Sequence, residues 1–454
     1  MSTERDPWGE RLPRTVGLAG AVAVLVGTTI GSGIFRVPAT VADRMGEPGS
    51  FMLVWVVGGV LALFGALTLA ELAAMYPRSG GVFAFLEEGV GRLPAFLFGW
   101  SQLVVIRAAA LGGISTIFAE YLTRFVGPLT PRQVQYVAAG VILTVGTLNY
   151  FGVKRAGAVM NVATAAKYTA LVALAFLAFA FGQGQFGNMS PLVDVSFPLS
   201  AFGMALVSVM WAYDGWADLS YMGGEVKDPS RNIPRALILG TVMIIVIYLA
   251  VNAAYLYLVP IDEMARSPLI ASTAADRIPF LAGAGGAVIA AVVMLSTFSS
   301  VNGSMMTSPR IFFAMADRRL FFRGIAHVSP RYHSPAAAIW LATGLGVTYV
   351  LFNNFQQLAD KFVLGIWPFY ILAVVGVFLL RRRSPDLPRP YRVFWFPVVP
   401  AVFLMASTGM VINALVTDPV NTGITFGIIL AGVPVYYLWV RRSGETEAGP
   451  AVGG

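Results

Sequence analysis

The sequence has no cysteine. Disulfides, thiol nucleophiles and thiolate metal sites are therefore excluded. Histidine is nearly as scarce: His327 and His333, both in a polar stretch, are the only two. That disfavours a haem- or zinc-dependent enzyme. Charge is scarce too. Asp, Glu, Lys and Arg make up 12% of the chain, against about 25% in soluble proteins. No Walker sequence, dinucleotide fingerprint, zinc spacing or nucleophile elbow occurs. These gaps argue against a soluble enzyme and leave a membrane enzyme without a catalytic constellation.

What is present is apolar. The chain has 454 residues, of which 57% are hydrophobic, with mean hydropathy +0.73. Such hydrophobicity rules out a disordered protein and points to one membrane domain. At about 20 apolar residues per span, the pattern predicts spans at about 16–43, 51–76, 93–123, 133–151, 158–182, 198–223, 235–259, 283–315, 335–353, 361–380, 393–415 and 420–440. Residues 1–15 lack a signal-peptide pattern and read as a cytoplasmic tail. Residues 443–454 read as a disordered cytoplasmic tail, and 263–281 as a short re-entrant or surface helix.

The basic residues test this topology. With the N-terminus inside and the spans alternating, 22 of the 31 Lys and Arg fall inside and 6 outside. An odd number of spans would spoil that split. The net charge of +8 is thus read as the positive-inside bias rather than as a nucleic-acid surface. Arg36, Arg107 and Lys167 fall within spans.

Two spans carry helix-breaking sequences. Span 1 contains GTTIGSGIFRVP (27–38), where Gly31, Ser32 and Gly33 weaken the helix. Taken alone, this pattern could equally serve close helix packing. Span 6 contains WAYDGWADLSYMGGE (211–225), with Asp214-Gly215 in mid-span and Asp218 one turn on. Charge there is costly, and irregular backbone at that depth belongs where it lines a cavity or lies within protein. The breaks lie five spans apart. Spans 1–5 and 6–10 can therefore be inverted halves, and paired interruptions mark a transporter's binding site. Broken half-helices present unpaired N–H groups at one end and unpaired C=O groups at the other. A zwitterionic amino acid matches both.

The intramembrane charges add candidates. Lys167 lies about nine residues inside span 5 and is expected to face the interior and donate to carbonyls or hydroxyls. Arg107 could bind a substrate carboxylate, pair with Asp214, or pack against carbonyls. Arg36 is expected to line the outer vestibule or to snorkel outward. Glu71 and Glu120 lie near span ends, where a structural role is expected.

At these residues the chain resembles a known family. GSGIF (31–35) followed by YPRSGG (76–81) resembles the amino acid–polyamine–organocation transporters. AYDGWADLSYMGGEVKDPSRNIPRA (212–236) and FSSVNGSMMTSPRIFFAMADRRLF (298–321) are similar to its L-amino-acid transporter branch. The resemblance extends over about residues 15–441. It implies an all-α polytopic membrane protein of LeuT type. About 12 transmembrane helices would form a 5+5 inverted repeat plus two C-terminal helices. Helices 1–5 would occupy about 16–182, helices 6–10 about 198–380 and helices 11–12 about 393–440, within a transporter domain at 16–442.

The resemblance also implies roles. Gly31, Ser32 and Gly33 would bind the substrate carboxylate. Carbonyls at Thr29, Trp211 and Asp214 would bind the α-amino group, with Ile30, Arg107 and Gly215 completing the site. Trp211 and Trp216 would gate it. Lys167 would replace the sodium ion that bridges spans 1 and 8 in sodium-coupled relatives, contacting Gly27, Ile30, Ser300 and Ser304. The implied activity is sodium-independent transport of L-amino acids by alternating access, as an exchanger, in a bacterial inner membrane with both termini cytoplasmic. The alternatives are a proton-coupled amino acid or polyamine symporter and, from another class, a membrane-embedded sensor or accessory subunit. No catalytic residue, metal or cofactor is implied. The partners are an L-amino acid and the lipid bilayer, not nucleic acid. Animal members carry a heavy chain linked through cysteine, and a chain without cysteine cannot form that link. Arg107 matches an Arg of the family's cystine/glutamate exchangers, and Asp214 stands where many animal members have a small residue.

Overall fold

The computed structural model describes residues 14–77, 80–151, 156–191, 197–281, 283–317 and 336–442, and of 156–165, 307–317 and 439–442 the backbone alone. The tails up to Pro13 and from Ser443, and both histidines, lie outside the described residues. Among the described residues there is no strand; Val16 and Val226 form an isolated bridge.

In chain order the helices are α1 (Leu18–Thr29), α2 (Gly33–Met45), α3 (Pro48–Met75), α4 (Val82–Gly89), α5 (Arg92–Ser101), α6 (Arg107–Val126), α7 (Pro131–Tyr150), α8 (Ala156–Phe181) and α9 (Leu199–Tyr213). There follow α10 (Pro229–Leu258), α11 (Ile261–Ala265), α12 (Ile270–Asp276), α13 (Gly285–Asp317), α14 (Ala336–Phe352), α15 (Phe355–Arg383), α16 (Val398–Thr417), α17 (Pro419–Leu430) and α18 (Gly432–Arg442). Proline occupies the first turn of α3, α7, α10 and α17, where its missing N–H would be unpaired anyway. Reciprocal capping boxes start α7 (Thr130 with Gln133) and α15 (Asn354 with Gln357).

By length and apolar composition, 7 of the described helices can cross a membrane, or 8 when α1 and α2 count as one span bent by 46°. That is fewer than the twelve expected. Helix α9 stops at Tyr213 after 15 residues, because the chain unwinds at Asp214-Gly215. The apolar parts of α8 (Ala166–Phe181) and α14 are also shorter than 18 residues. The segment expected to hold a surface helix forms α11, α12 and a 3₁₀ turn at Pro279–Leu281.

The interior is organised around α3 and α10, which pack together, with α1 on α10 and α9 on α3. Glycines allow the close contacts. A β-carbon at Gly58 of α3 would lie 2.5 Å from Val209 Cγ1, and one at Gly65 would lie 2.7 Å from the Trp216 ring. Helices α6, α7, α8 and α14 gather around α13, while α15 touches α4, α6, α9 and α16.

One end of the bundle is fastened by a buried carboxylate. Glu71 at the end of α3 is wholly buried. Arg381 of α15 grips it in a fork, Nε to Oε1 at 2.9 Å and Nη2 to Oε2 at 2.6 Å. The Val393 amide donates to Oε2 at 2.8 Å. Arg389 stands behind, and its Nη atoms donate to the carbonyls of Leu380, Ser384, Pro385 and Leu387. This is the structural role expected of a span-end Glu. Removing one partner of such a pair strands the other. Glu71→Ala is therefore expected to destabilise the fold by about 3 kcal/mol, read as a lowered unfolding midpoint of the detergent-purified protein. An unchanged midpoint would contradict the account.

Candidate functional site

The two interrupted spans meet at their breaks. Helix α1 ends at Thr29, the chain turns through Ile30-Gly31-Ser32, and α2 begins at Gly33. Helix α9 ends at Tyr213, the chain turns at Asp214-Gly215, and a 3₁₀ stretch runs from Asp218 to Glu225. Each break admits the other's backbone through a glycine. A β-carbon at Gly33 would lie 2.6 Å from Ala212 Cα. At Gly215, where φ is +115°, a β-carbon would lie 2.8 Å from Thr29 Cα. Neither position tolerates a side chain, and Gly215 also adopts a backbone that L-residues avoid.

The carbonyls freed by the breaks find partners across helices. Tyr248 of α10 shares its hydroxyl proton between Thr29 O (3.1 Å) and Ala212 O (2.9 Å). Thr28 Oγ1 reaches Leu25 O at 3.0 Å and Gly215 O at 3.5 Å. Lys167 of α8, only 4% exposed, donates from Nζ to Gly27 O at 3.2 Å. Helix α13, which carries Ser300 and Ser304, packs beside α8. Of the amides opening α2, that of Phe35 donates to Ser32 O at 3.2 Å, and those of Gly33 and Ile34 have no preceding turn to pair with; the Gly31 amide just before them donates to Thr29 O at 2.7 Å. Ser32 itself is 4% exposed. The site therefore sets helix-start donors and helix-end acceptors side by side.

Trp211 covers this junction. Its Cδ1 would lie 3.3 Å from a β-carbon on Gly33, and its ring 2.8 Å from one on Gly113 of α6. It meets Phe362 and Phe355 of α15 edge to face, with centroids 4.9 and 6.0 Å away. Trp216 lies deeper in the core, 1% exposed. It packs on Tyr370 (4.9 Å) and Phe403 (6.4 Å).

Of the pairings expected for Arg107, the one with Asp214 is not formed. Arg107 donates from Nε to Gln102 Oε1 at 3.0 Å. Among the described residues no ion pair links it to Asp214; the side chain of Asp214 accepts from the Tyr370 hydroxyl at 3.1 Å. Arg107 is nevertheless close enough to feel the charges of Asp214 and Asp218. It follows a π-helical turn at Gln102–Ile106, a distortion frequent at functional sites. The Nε2 of Gln102 is buried without a partner.

Tyr248 and Tyr370 were not singled out from the sequence. Neither belongs to a motif; each is a tyrosine in an apolar helix. A hydroxyl at such a position needs a partner, and no pattern names which carbonyl or carboxylate it meets.

Residues 16–440 match the amino acid permease family. The chain belongs to that family. It is 31% identical to the serine/threonine exchanger of Bacillus subtilis over 433 residues, covering 95% of this chain and 98% of that protein. It is 32% identical to the human cystine/glutamate transporter over 446 residues, covering 96% and 88%. It is 30% identical to the human b(0,+)-type amino acid transporter 1 over 445 residues, covering 96% and 90%. The resemblance to the L-amino-acid transporter branch therefore holds, and the permease is a transporter rather than an enzyme.

Because one hydroxyl ties both breaks, Tyr248→Phe is expected to loosen them together. One hydrogen bond contributes up to about 1.5 kcal/mol net, so the half-saturation for amino acid uptake by the permease should rise up to about tenfold. The unfolding midpoint should fall as well, because two buried carbonyls lose their donor. Unaltered half-saturation would show that the tyrosine does not hold the site.

Proposed function

We propose that this permease exchanges L-amino acids across the bacterial inner membrane, independently of sodium, by alternating access. The observation that carries the reading is the mutual fit of the breaks, Gly33 against Ala212 and Gly215 against Thr29. That fit puts the start of α2 beside the ends of α1 and α9. A carboxylate is drawn to the first and an ammonium to the others. The relatives support an α-amino acid as the common element. Their names cover hydroxylated, acidic and disulfide-containing side chains, which share only the zwitterionic end. In this reading Gly31, Ser32 and Gly33 take the carboxylate. Carbonyls of Thr29, Trp211 and Asp214 take the amino group, Ile30 and Gly215 line the site beside them, and Trp211 and Trp216 gate it.

Sodium independence rests on Lys167. Its ammonium already supplies a cation to the Gly27 carbonyl at 3.2 Å, with Ser300 and Ser304 on the neighbouring helix as further ligands. A fixed charge needs no ion to enter. Exchange follows, since no ion gradient then drives the return of the empty carrier. The proposed architecture is the LeuT type: helices 1–5 (16–182) and 6–10 (198–380) as inverted halves, helices 11–12 (393–440) outside them, and both tails cytoplasmic. The end holding Arg381, Arg389 and Glu71 is then the inner one.

Uptake of a radiolabelled amino acid into sodium-free proteoliposomes tests this reading. Uptake is expected only when unlabelled amino acids are inside. Uptake into empty vesicles driven by an imposed pH gradient would instead favour a proton symporter, and no uptake under either condition would overturn the transport assignment. Lys167→Ala is expected to abolish flux with the fold intact, because the contact between α1 and α8 loses its charge; near-normal flux would refute its role. Arg107→Ala is expected to shift the preference between acidic and neutral substrates, measured by competition against one labelled amino acid. Unchanged preference would assign Arg107 to holding Gln102.

A further inference from the structure

The connection between α15 and α16 gathers positive charge and aromatic rings at one end of the bundle. From Arg381 to Val399 the chain carries five arginines against one acidic residue, Asp386. Two of the five are used internally. Arg381 grips Glu71, and Arg389 binds the carbonyls of Leu380, Ser384, Pro385 and Leu387. The other three, Arg382, Arg383 and Arg392, are exposed. Among the described residues none of these three forms an ion pair.

Beside them Phe394 and Trp395 stack with centroids 4.9 Å apart, yet they are 61% and 67% exposed. Such a pair lacks the burial that usually stabilises aromatic rings. Trp395 also adopts φ +52°, a left-handed conformation that a bulky residue takes only under constraint. The constraint is visible in its neighbours. The Trp395 carbonyl accepts from the amides of Val398 (2.7 Å) and Val399 (3.3 Å). The Val393 amide is pinned to Glu71 at 2.8 Å. The Phe396 ring lies 3.7 Å under the Arg381 guanidinium and 5.0 Å from the Phe378 ring. The frame is thus fixed from within and turns two rings outward on a strained backbone. Strain of this kind persists where it serves a site. Helix α16, long and apolar enough to span a membrane, starts at Val398, itself 57% exposed. The rings therefore lie where hydrocarbon meets headgroups.

We propose that this connection is a binding site for an anionic phospholipid. Arg382, Arg383 and Arg392 attract the negative headgroup, and Phe394, Trp395 and Val398 meet the top of the acyl chains. A headgroup without net charge suits the rings but leaves the arginines unanswered. Free phosphate suits the arginines but leaves the rings in water. An anionic lipid satisfies both halves of the surface. The inference needs only that the permease crosses a bilayer and is independent of which amino acid it carries.

Titration of the detergent-purified permease with phosphatidylglycerol carrying a fluorescent acyl tail, against phosphatidylcholine with the same tail, tests this. Phosphatidylglycerol is expected to bind more tightly. Its affinity should fall about fivefold for each of Arg382→Gln, Arg383→Gln and Arg392→Gln, with phosphatidylcholine binding unchanged. Arg266→Gln, an exposed arginine elsewhere on the surface, should leave both affinities alone. Trp395→Gly removes the ring and relieves the left-handed backbone. It is expected to weaken binding of both lipids while the unfolding midpoint holds or rises. A ring that serves only packing would do the reverse, lowering the midpoint and sparing lipid binding, and that result would overturn the site. So would equal affinity for the two lipids, undiminished phosphatidylglycerol binding by the triple Gln variant, or an equal loss in Arg266→Gln. No step uses uptake, so failure of the transport reading would not alter the outcome.

Discussion

Two helices stop part-way along their spans, and each rests its broken backbone on the other. A peptide group inside a bilayer must find a hydrogen-bond partner within the protein, so breaking a helix there is tolerable only where other elements supply those partners. Here the supply is specific. Tyr248 serves one carbonyl from each break, Thr28 reaches across to Gly215, and Lys167 serves Gly27. The groups left over include the amides of Gly33 and Ile34 at the start of α2, which suit the carboxylate of the proposed substrate. Helices α8 and α10 bring the hydrogen-bond partners in.

Ion pairs tie the helices together at both ends of the bundle. Glu71 is sealed in the core and gripped by Arg381, which suits a joint that stays shut. At the other end Glu120 pairs with Arg36 and Asp360 with Arg44. Between these ends lies a region of sparse charge where Lys167, Arg107, Asp214 and Asp218 sit near the breaks.

Much of this was readable from the chain. Apolar runs located the helices, because span length and hydropathy are local properties. Both breaks were visible as Gly-Ser-Gly and Asp-Gly within apolar stretches, since few residues end a helix so plainly. Lys167 stood out because an ammonium in mid-span needs an acceptor. Three things were not readable. Tyr248 gains its importance only from the convergence of α1, α9 and α10, which no periodicity encodes. The pairing of Arg36 with Glu120 joins residues 84 positions apart, and composition does not reveal partners at that range. The π turn at Gln102–Ile106 carries no sequence mark, nor does the bond from Arg107 to Gln102 that spans it.

Hydrogen–deuterium exchange with and without amino acid tests the central claim most directly, namely that the juxtaposed breaks are the substrate site. The account predicts that peptides covering residues 27–35 and 211–218 exchange more slowly when amino acid is bound, because the free amides of α2 acquire a carboxylate partner. Protection confined to other segments, with these two unchanged, would contradict it.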